Sequence, residues 1–335
     1  MYDIGVIDDC IDDTYNPFCE ITDLTGVRLF ILLTNRCNLK CRHCYTDSRN
    51  IDECDDYFNY DKSKKIINEA VKNGISKIDF TGGEVFIKNF FIDLLEYIEY
   101  KPVQYGIFTN FTLIDHKLSV RIKKLHGLNR LITSLDYFDA DKHNKFRGSK
   151  NAYERTMQTI EYFNDIKERI IVNTIVMNDN HNDVVDILEY FRGIGIKVKL
   201  DVLSNSGRAK DIDNNINDDV VFIKDLLKYY NNIESYSWKN CINCGIGKVL
   251  LFMNYKGEYH VCHSLTSRES RCFYLGRNMR ESYNNLKKII LKCNEDKCKF
   301  YEQCSYGCRA RVFLNTGCIN GCDYILRQLM EGDEV

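Results

Sequence analysis

The sequence predicts a parallel α/β fold of barrel type, joined to a small cysteine-rich region. Three observations predict it. Between residues 27 and 203, six short apolar runs alternate with segments of helical period, the pattern of strands joined by crossover helices. Polar residues gather just beyond those runs, at 37 onward, Gly82-Gly83-Glu84, Thr109-Asn110, Ser134 and Asp136, and 205–208. Barrel-type α/β enzymes place their sites at that end of their strands. From about residue 237, cysteine, glycine and aromatic residues become dense and periodicity fades.

The elements follow in order. Residues 27–34 (VRLFILLT) read as the first strand, and 59–73 as a helix closed by Gly74, whose freedom suits a left-handed cap. Residues 75–83 form the second strand and 90–100 a helix with a broad apolar face, stopped by Pro102. Strands at 103–110, 128–136, 169–177 and 196–203 alternate with helices at 115–125, 151–166 and 182–192. β-Branched residues are frequent in most strands, as expected where both faces are buried. Residues 1–26 are an acidic N-terminal arm, and 209–236 a polar helical connection. That divides the chain into the arm, a barrel domain over 27–208, the connection, and a cysteine-rich domain over 237–335.

A chain of 335 residues can bury a sizeable core. Its net charge of −2, spread along the chain, gives no nucleic-acid footprint. The N-terminus has neither a basic region nor an apolar core, so it is no secretory signal. No apolar run reaches the length of a membrane span. The protein is therefore expected to be cytoplasmic. Sixteen cysteines in reducing cytosol point to metal or redox use and not to a disulfide framework. Most fall in two groups, 37–44 and 241–322.

Cys37, Cys41 and Cys44 stand at CxxxCxxC spacing beyond the first strand. Thiolates are soft ligands suited to iron–sulfur clusters. Three of them would leave one iron of a four-iron cubane open, as catalytic zinc sites keep one position open. This segment resembles the signature of the radical S-adenosylmethionine (radical SAM) enzymes, with His43 in the place of the aromatic residue before the third cysteine. The resemblance implies a partial (βα)6 TIM-type barrel. It also implies a [4Fe–4S] cluster on the three cysteines, with SAM on the open iron, cleaved reductively to a 5′-deoxyadenosyl radical.

Gly82-Gly83-Glu84 resembles the family's GGE motif, which grips the SAM amino group; Val85 follows where the family usually has proline. Two glycines permit close backbone approach, and a carboxylate can hold an ammonium group. Ser134-Leu135-Asp136 and Arg147-Gly148 resemble the SLD and RG segments. By that resemblance Ser134 contacts SAM and Arg147 pairs with its carboxylate, for which a guanidinium fork is suited. Thr109-Asn110 matches TNG, with Phe111 in place of the glycine. His43 is placed near adenine, and Leu203 in the adenine pocket. Residues 205–209 (NSGRA) resemble a GRA segment whose role stays open.

The second group runs Cys241-x2-Cys244, Gly257-x4-Cys262, Cys293-x4-Cys298-x5-Cys304-x3-Cys308 and Cys318-x3-Cys322. It resembles the SPASM domain, which carries two auxiliary [4Fe–4S] clusters. The family pattern has CxxC where this chain has Cys293-x4-Cys298. The resemblance implies one cluster on Cys241, Cys244, Cys262 and Cys308, and a second on Cys293, Cys298, Cys304 and Cys322, with Cys318 competing for the last place. Three [4Fe–4S] clusters result. Zinc on similar CxxC knuckles is the alternative. Cys10, Cys19, Cys54 and Cys272 remain; free cysteine usually behaves as a small buried hydrophobe.

The resemblance points to a maturase of ribosomally made peptides, forming a thioether or carbon–carbon cross-link or an epimer. Its expected partners are the precursor peptide and a flavodoxin- or ferredoxin-type electron donor. Many such maturases carry an N-terminal peptide-recognition domain. Residues 1–26 are too short for one, so a separate recognition protein or a direct grip is expected. An anaerobic sulfatase-maturating enzyme is an alternative, although His263 stands where that family has an aspartate base. A small-molecule radical SAM dehydrogenase is another, and a non-catalytic iron–sulfur electron carrier the alternative of a different class.

Overall fold

A computed structural model describes residues 24–48, 57–233, 249–266, 273–289, 298–300, 304 and 307–331. The acidic arm up to residue 23, the expected boundary near 236, and Cys10, Cys19, Cys54, Cys241, Cys244, Cys272 and Cys293 lie outside the described residues.

Six parallel strands alternate with helices as the apolar periodicity requires. They are β1 (Arg28–Leu32), β2 (Lys77–Thr81), β3 (Gln104–Phe108), β4 (Leu128–Ser134), β5 (Ile170–Val176) and β6 (Lys197–Val202). The intervening helices are α1 (Tyr60–Lys72), α2 (Phe91–Ile98), α3 (His116–Lys123), α4 (Ala140–Arg147), α5 (Ala152–Tyr162) and α6 (His181–Ile194), and α7 (Ile216–Tyr229) follows β6. Side-chain caps start several of them: Asn59 accepts from the Lys62 N–H, Asp115 from Leu118 and Asp139 from Lys142.

The sheet does not end with the barrel strands. β7 (Leu250–Met253) lies parallel to β1 on the side away from β2, and β8 (Tyr259–His260) and β9 (Tyr274–Gly276) continue antiparallel. Strand order is β6-β5-β4-β3-β2-β1-β7-β8-β9. Helices α8 (Met279–Lys287), α9 (Arg309–Thr316) and α10 (Tyr324–Met330) complete the chain. β1 thus joins the barrel strands to those of the cysteine-rich region.

The two faces of the barrel strands differ. Leu29, Ile31, Ile78, Phe80, Tyr105, Ile107, Leu131, Val172, Val198 and Leu200 enter one large apolar core with the helices. The alternate residues turn inward and include Phe30, which touches Phe108 and Phe252, but also Asp79, Arg130, Lys199 and Asp201. Burial on both faces, expected from the β-branched content, holds over the consecutive buried residues of β2, β3 and β4 and is corrected for β5 and β6. β5 alternates buried and half-buried residues along its length, because the inner face lines a polar lumen.

Candidate active site

The three-cysteine loop leaves the C-terminal end of β1. Cys37, Cys41, Leu39 and Ala152 form a small buried apolar cluster, with Cys44 packed against it. Burial pushes the Cys37 thiol up to about 12, and the nearby Glu84, Cys41 and Cys44 push the same way against the Leu39 N–H. Burial raises Cys41 too, opposed by Arg147, whose Nη1 lies 3.8 Å from the sulfur. A bound metal would displace those protons and hold the sulfurs as thiolates. No three His, Cys, Asp or Glu side chains among the described residues converge to hold a single metal ion. A cubane spreads its irons over separate corners, so it takes ligands set farther apart. The donor set fits a [4Fe–4S] cluster.

Two of the motifs expected to bind the cofactor, GGE and RG, also hold this loop by backbone contact. Gly83 N–H donates to the Thr34 carbonyl at 2.8 Å, and Glu84 N–H to that of Arg36 at 2.9 Å. A Cβ on Gly83 would stand 2.2 Å from the Arg36 oxygen and 2.9 Å from Cys37 Cβ. The glycine pair therefore makes room first for the cysteine loop. On the other flank, Lys40 and Arg42 N–H groups donate to the carbonyls of Arg147 and Phe146 in α4. Gly148 ends that helix at φ +64°, its absent Cβ 2.8 Å from the Lys40 oxygen.

The GRA segment supplies a third hold. Gly207, at φ +57°, packs where a Cβ would meet the Cys44 carbonyl oxygen at 2.2 Å. Arg208 N–H donates to that oxygen at 3.0 Å, and Arg208 Nε to the Cys41 carbonyl at 2.8 Å. Its Nη1 reaches Asp47 Oδ1 at 2.8 Å and the Ser48 carbonyl at 2.9 Å.

Glu84 is fully buried and accepts from Thr109 Oγ1 and Asn110 N–H at 2.7 Å each, and from Phe86 N–H at 3.1 Å. Three donors on a carboxylate with about four lone-pair sites leave one acceptor position. Asn110, placed by this carboxylate, extends Nδ2 to Asn38 Oδ1 at 3.0 Å and towards the Cys37 sulfur at 3.9 Å. Phe111 takes the glycine place of TNG at φ +66° and is wholly buried against Phe163.

Arg147 finds its carboxylate inside the protein. Nη2 donates to Asp136 in a buried ion pair, while Nε is buried with no hydrogen-bond partner. Asp136 also accepts from Ile175 N–H at 3.1 Å. Burial would raise its carboxyl, but Arg147 and its other polar neighbours hold it below the usual range. His143 Nδ1 accepts from Asp136 N–H at 3.3 Å and stays neutral, pushed down to about 3 by burial and by the Arg147 cation.

His43 stacks on Phe146 at 4.6 Å, with Nδ1 buried and unpartnered. Phe146 belongs to an apolar cluster with Tyr137 and Met177, and Leu203 packs against it. His43 and Leu203 thus border one apolar patch. Ser134 ends β4, half-buried and in register with Asn173 of β5.

The lumen also holds Tyr45, which the motifs did not single out. Tyr45, hydrogen-bonded to Thr81, lies edge-on to His263 at 5.2 Å. His263 stacks on Phe30 at 5.8 Å, and burial, aided by Lys199, pushes its imidazole down to about 4. Cys262 is buried and raised to about 12 by burial and then by neighbouring Cys308. The Cys308 N–H donates to Asp323 at 2.7 Å, and Arg311 forms an ion pair with the same carboxylate.

Residues 31–191 match the Radical SAM superfamily. They form a radical SAM domain. The family implies a [4Fe–4S] cluster and SAM. Among curated relatives, the antilisterial bacteriocin subtilosin biosynthesis protein AlbA of Bacillus subtilis is 28% identical over 301 residues, 82% of this chain and 65% of AlbA. The AdoMet-dependent heme synthase of Nitratidesulfovibrio vulgaris is 30% identical over 185 residues, 55% of this chain and 50% of that protein. The chain therefore spans less than two thirds of either relative's length. Likeness of fold extends beyond the matched segment. SuiB of Streptococcus suis bound to S-adenosylmethionine superposes with a TM-score of 0.71 at 14% identity, covering 90% of this chain and 77% of SuiB. SuiB has also been solved with its precursor peptide SuiA. No helix among the described residues is long and apolar enough to cross a membrane.

Proposed function

We propose that this radical SAM enzyme is a peptide maturase that forms a cross-link or an epimer in a ribosomally made precursor. The observation that carries this reading is the reach of the AlbA likeness, 82% of this chain against 55% for the heme synthase. AlbA is named for bacteriocin biosynthesis, and SuiB has been solved with a precursor peptide bound. When bound at the three-cysteine loop, the cluster and SAM supply a 5′-deoxyadenosyl radical able to take a hydrogen atom.

The chain's own residues divide the binding. The Gly82-Gly83 backbone and the acceptor position left on Glu84 would receive the amino group of SAM. The unpartnered Nε of Arg147 is the atom left to meet its carboxylate. Ser134 would hold the central part of the molecule, and His43 and Leu203 would border adenine. The inner face bearing Phe30, His263, Lys199 and Asp201 remains for the substrate.

Eight of the remaining cysteines would form two auxiliary clusters with the ligand sets implied by the SPASM resemblance. Two observations support them. Cys262 and Cys308 are electrostatic neighbours, as ligands of one cluster would be. Cys318 is exposed, whereas Cys322 is half-buried. That favours Cys322 for the second set. A flavodoxin- or ferredoxin-type protein would deliver electrons, and a separate recognition protein could present the peptide.

The test is anaerobic incubation with SAM, reductant and candidate ribosomal precursor peptides. The expected outcome is 5′-deoxyadenosine together with a peptide lighter by a pair of hydrogens, or of unchanged mass with one residue inverted on hydrolysis. Turnover of a porphyrin or sugar alcohol, with every peptide unaltered, would overturn the reading in favour of a small-molecule enzyme.

A further inference from the structure

We propose that Arg208 is a positioning residue that, with Asp47, straps the three-cysteine loop into its cluster-binding conformation. The inference rests on that loop being the cluster site. Arg208 follows β6, the far edge of the sheet, and lies more than 150 residues from the loop in sequence. Its guanidinium spans the loop, from the Cys41 carbonyl at 2.8 Å to Asp47 Oδ1 and the Ser48 carbonyl at 2.8 and 2.9 Å. Its own N–H takes the Cys44 carbonyl between those points, at 3.0 Å.

Two features show a loop held in a disfavoured shape. Asp47 sits at φ +49°, a left-handed conformation that most residues avoid and that aspartate and asparagine tolerate best. Gly207 approaches the Cys44 and Tyr45 carbonyl oxygens to within 2.2 and 2.5 Å of where a Cβ would stand. The turn at Gly207 and the loop are therefore fitted backbone to backbone, and only the arginine fork reaches three separate acceptors at once. Groups that orient metal ligands without touching the metal commonly change metal affinity 10- to 100-fold when lost.

The experiment compares full-length, anaerobically reconstituted variants with wild type. Signals from any other cluster are subtracted with a Cys37→Ala/Cys41→Ala/Cys44→Ala variant. Two readouts are taken: the rate at which a chelator removes the loop's iron, and the change in the reduced EPR signal on adding SAM. We expect Arg208→Gln to release that iron roughly ten times faster or more and to lose most of the SAM-induced change. Arg208→Lys should recover part of the release rate. Asp47→Ala should resemble Arg208→Gln, while Asp47→Asn, which keeps an acceptor and tolerates the backbone angle, should stay near wild type. The double variant Arg208→Gln/Asp47→Ala should be no worse than Arg208→Gln alone, as for partners acting as one unit. Wild-type release and EPR behaviour in Arg208→Gln, or additive effects in the double variant, overturn the strap. A wild-type protein with no loop-dependent iron overturns the cluster site as well.

Discussion

Buried charge sets the behaviour of individual residues near the loop. His143 is held neutral with its folded pKa near 3, whereas the unfolded chain titrates near 6.5. Above that value both states are neutral and nothing is lost. Below it only the unfolded chain takes up the proton, so stability falls as pH drops from about 6.5 towards the folded value, by up to about 1.4 kcal/mol per pH unit. His43 and His263 are lowered to about 4 and act with the same sign. Urea titrations between pH 7 and 4 should give His143→Gln a shallower slope than wild type, and equal slopes would refute the neutral assignment. Asp136 is depressed instead, so its contribution disappears only below about pH 4 and does not confuse that window. Glu84→Gln places an amide NH2 among Thr109, Asn110 and Phe86 donors. It should cost about 1–3 kcal/mol, read as a lowered denaturation midpoint.

Among the elements, the six barrel strands and five of the helices between them were legible from apolar period and caps. The sixth, α4, was not. Its sequence ADKHNKFR is strongly polar, and it buries His143, Asn144, Phe146 and Arg147 without an apolar stripe. Only its caps, Asp139 and Gly148, announce it. Arg147 and Asp136 were each legible near the site, but their pairing was not, because nothing in the spacing says that a buried carboxylate will face the arginine. Arg208 and Tyr45 were hidden for a related reason: their roles depend on which loops touch at the mouth of the barrel. β7, β8 and β9 went unread since each is short and the surrounding cysteines and glycines mask their alternation. The glycine at the end of α4 gives a direct test. Gly148→Ala combines a left-handed angle with a Cβ at 2.8 Å from the Lys40 oxygen. It should cost about 1–2 kcal/mol and reduce the iron retained on reconstitution, measured by melting and iron assay on the same sample.

At the scale of the molecule, the prediction is one of stoichiometry. Wild type should hold about twelve irons, falling to about eight when Cys37, Cys41 and Cys44 are all changed to alanine. About four irons in wild type, with zinc making up the remainder, would remove the auxiliary clusters and leave only the loop site.

The placing of β1 bears on how the protein is made. Its β7 partner lies about 220 residues later in the sequence. At the usual pace of synthesis that segment takes on the order of ten to forty seconds to leave the ribosome. During that interval β1 can pair with β2, but its other edge has no β7 to cover it. The strand that carries the cysteine loop is then a template open to a stray neighbour. A chaperone that shields edges, or faster passage of the segment that carries β7, would raise the yield of correctly assembled protein.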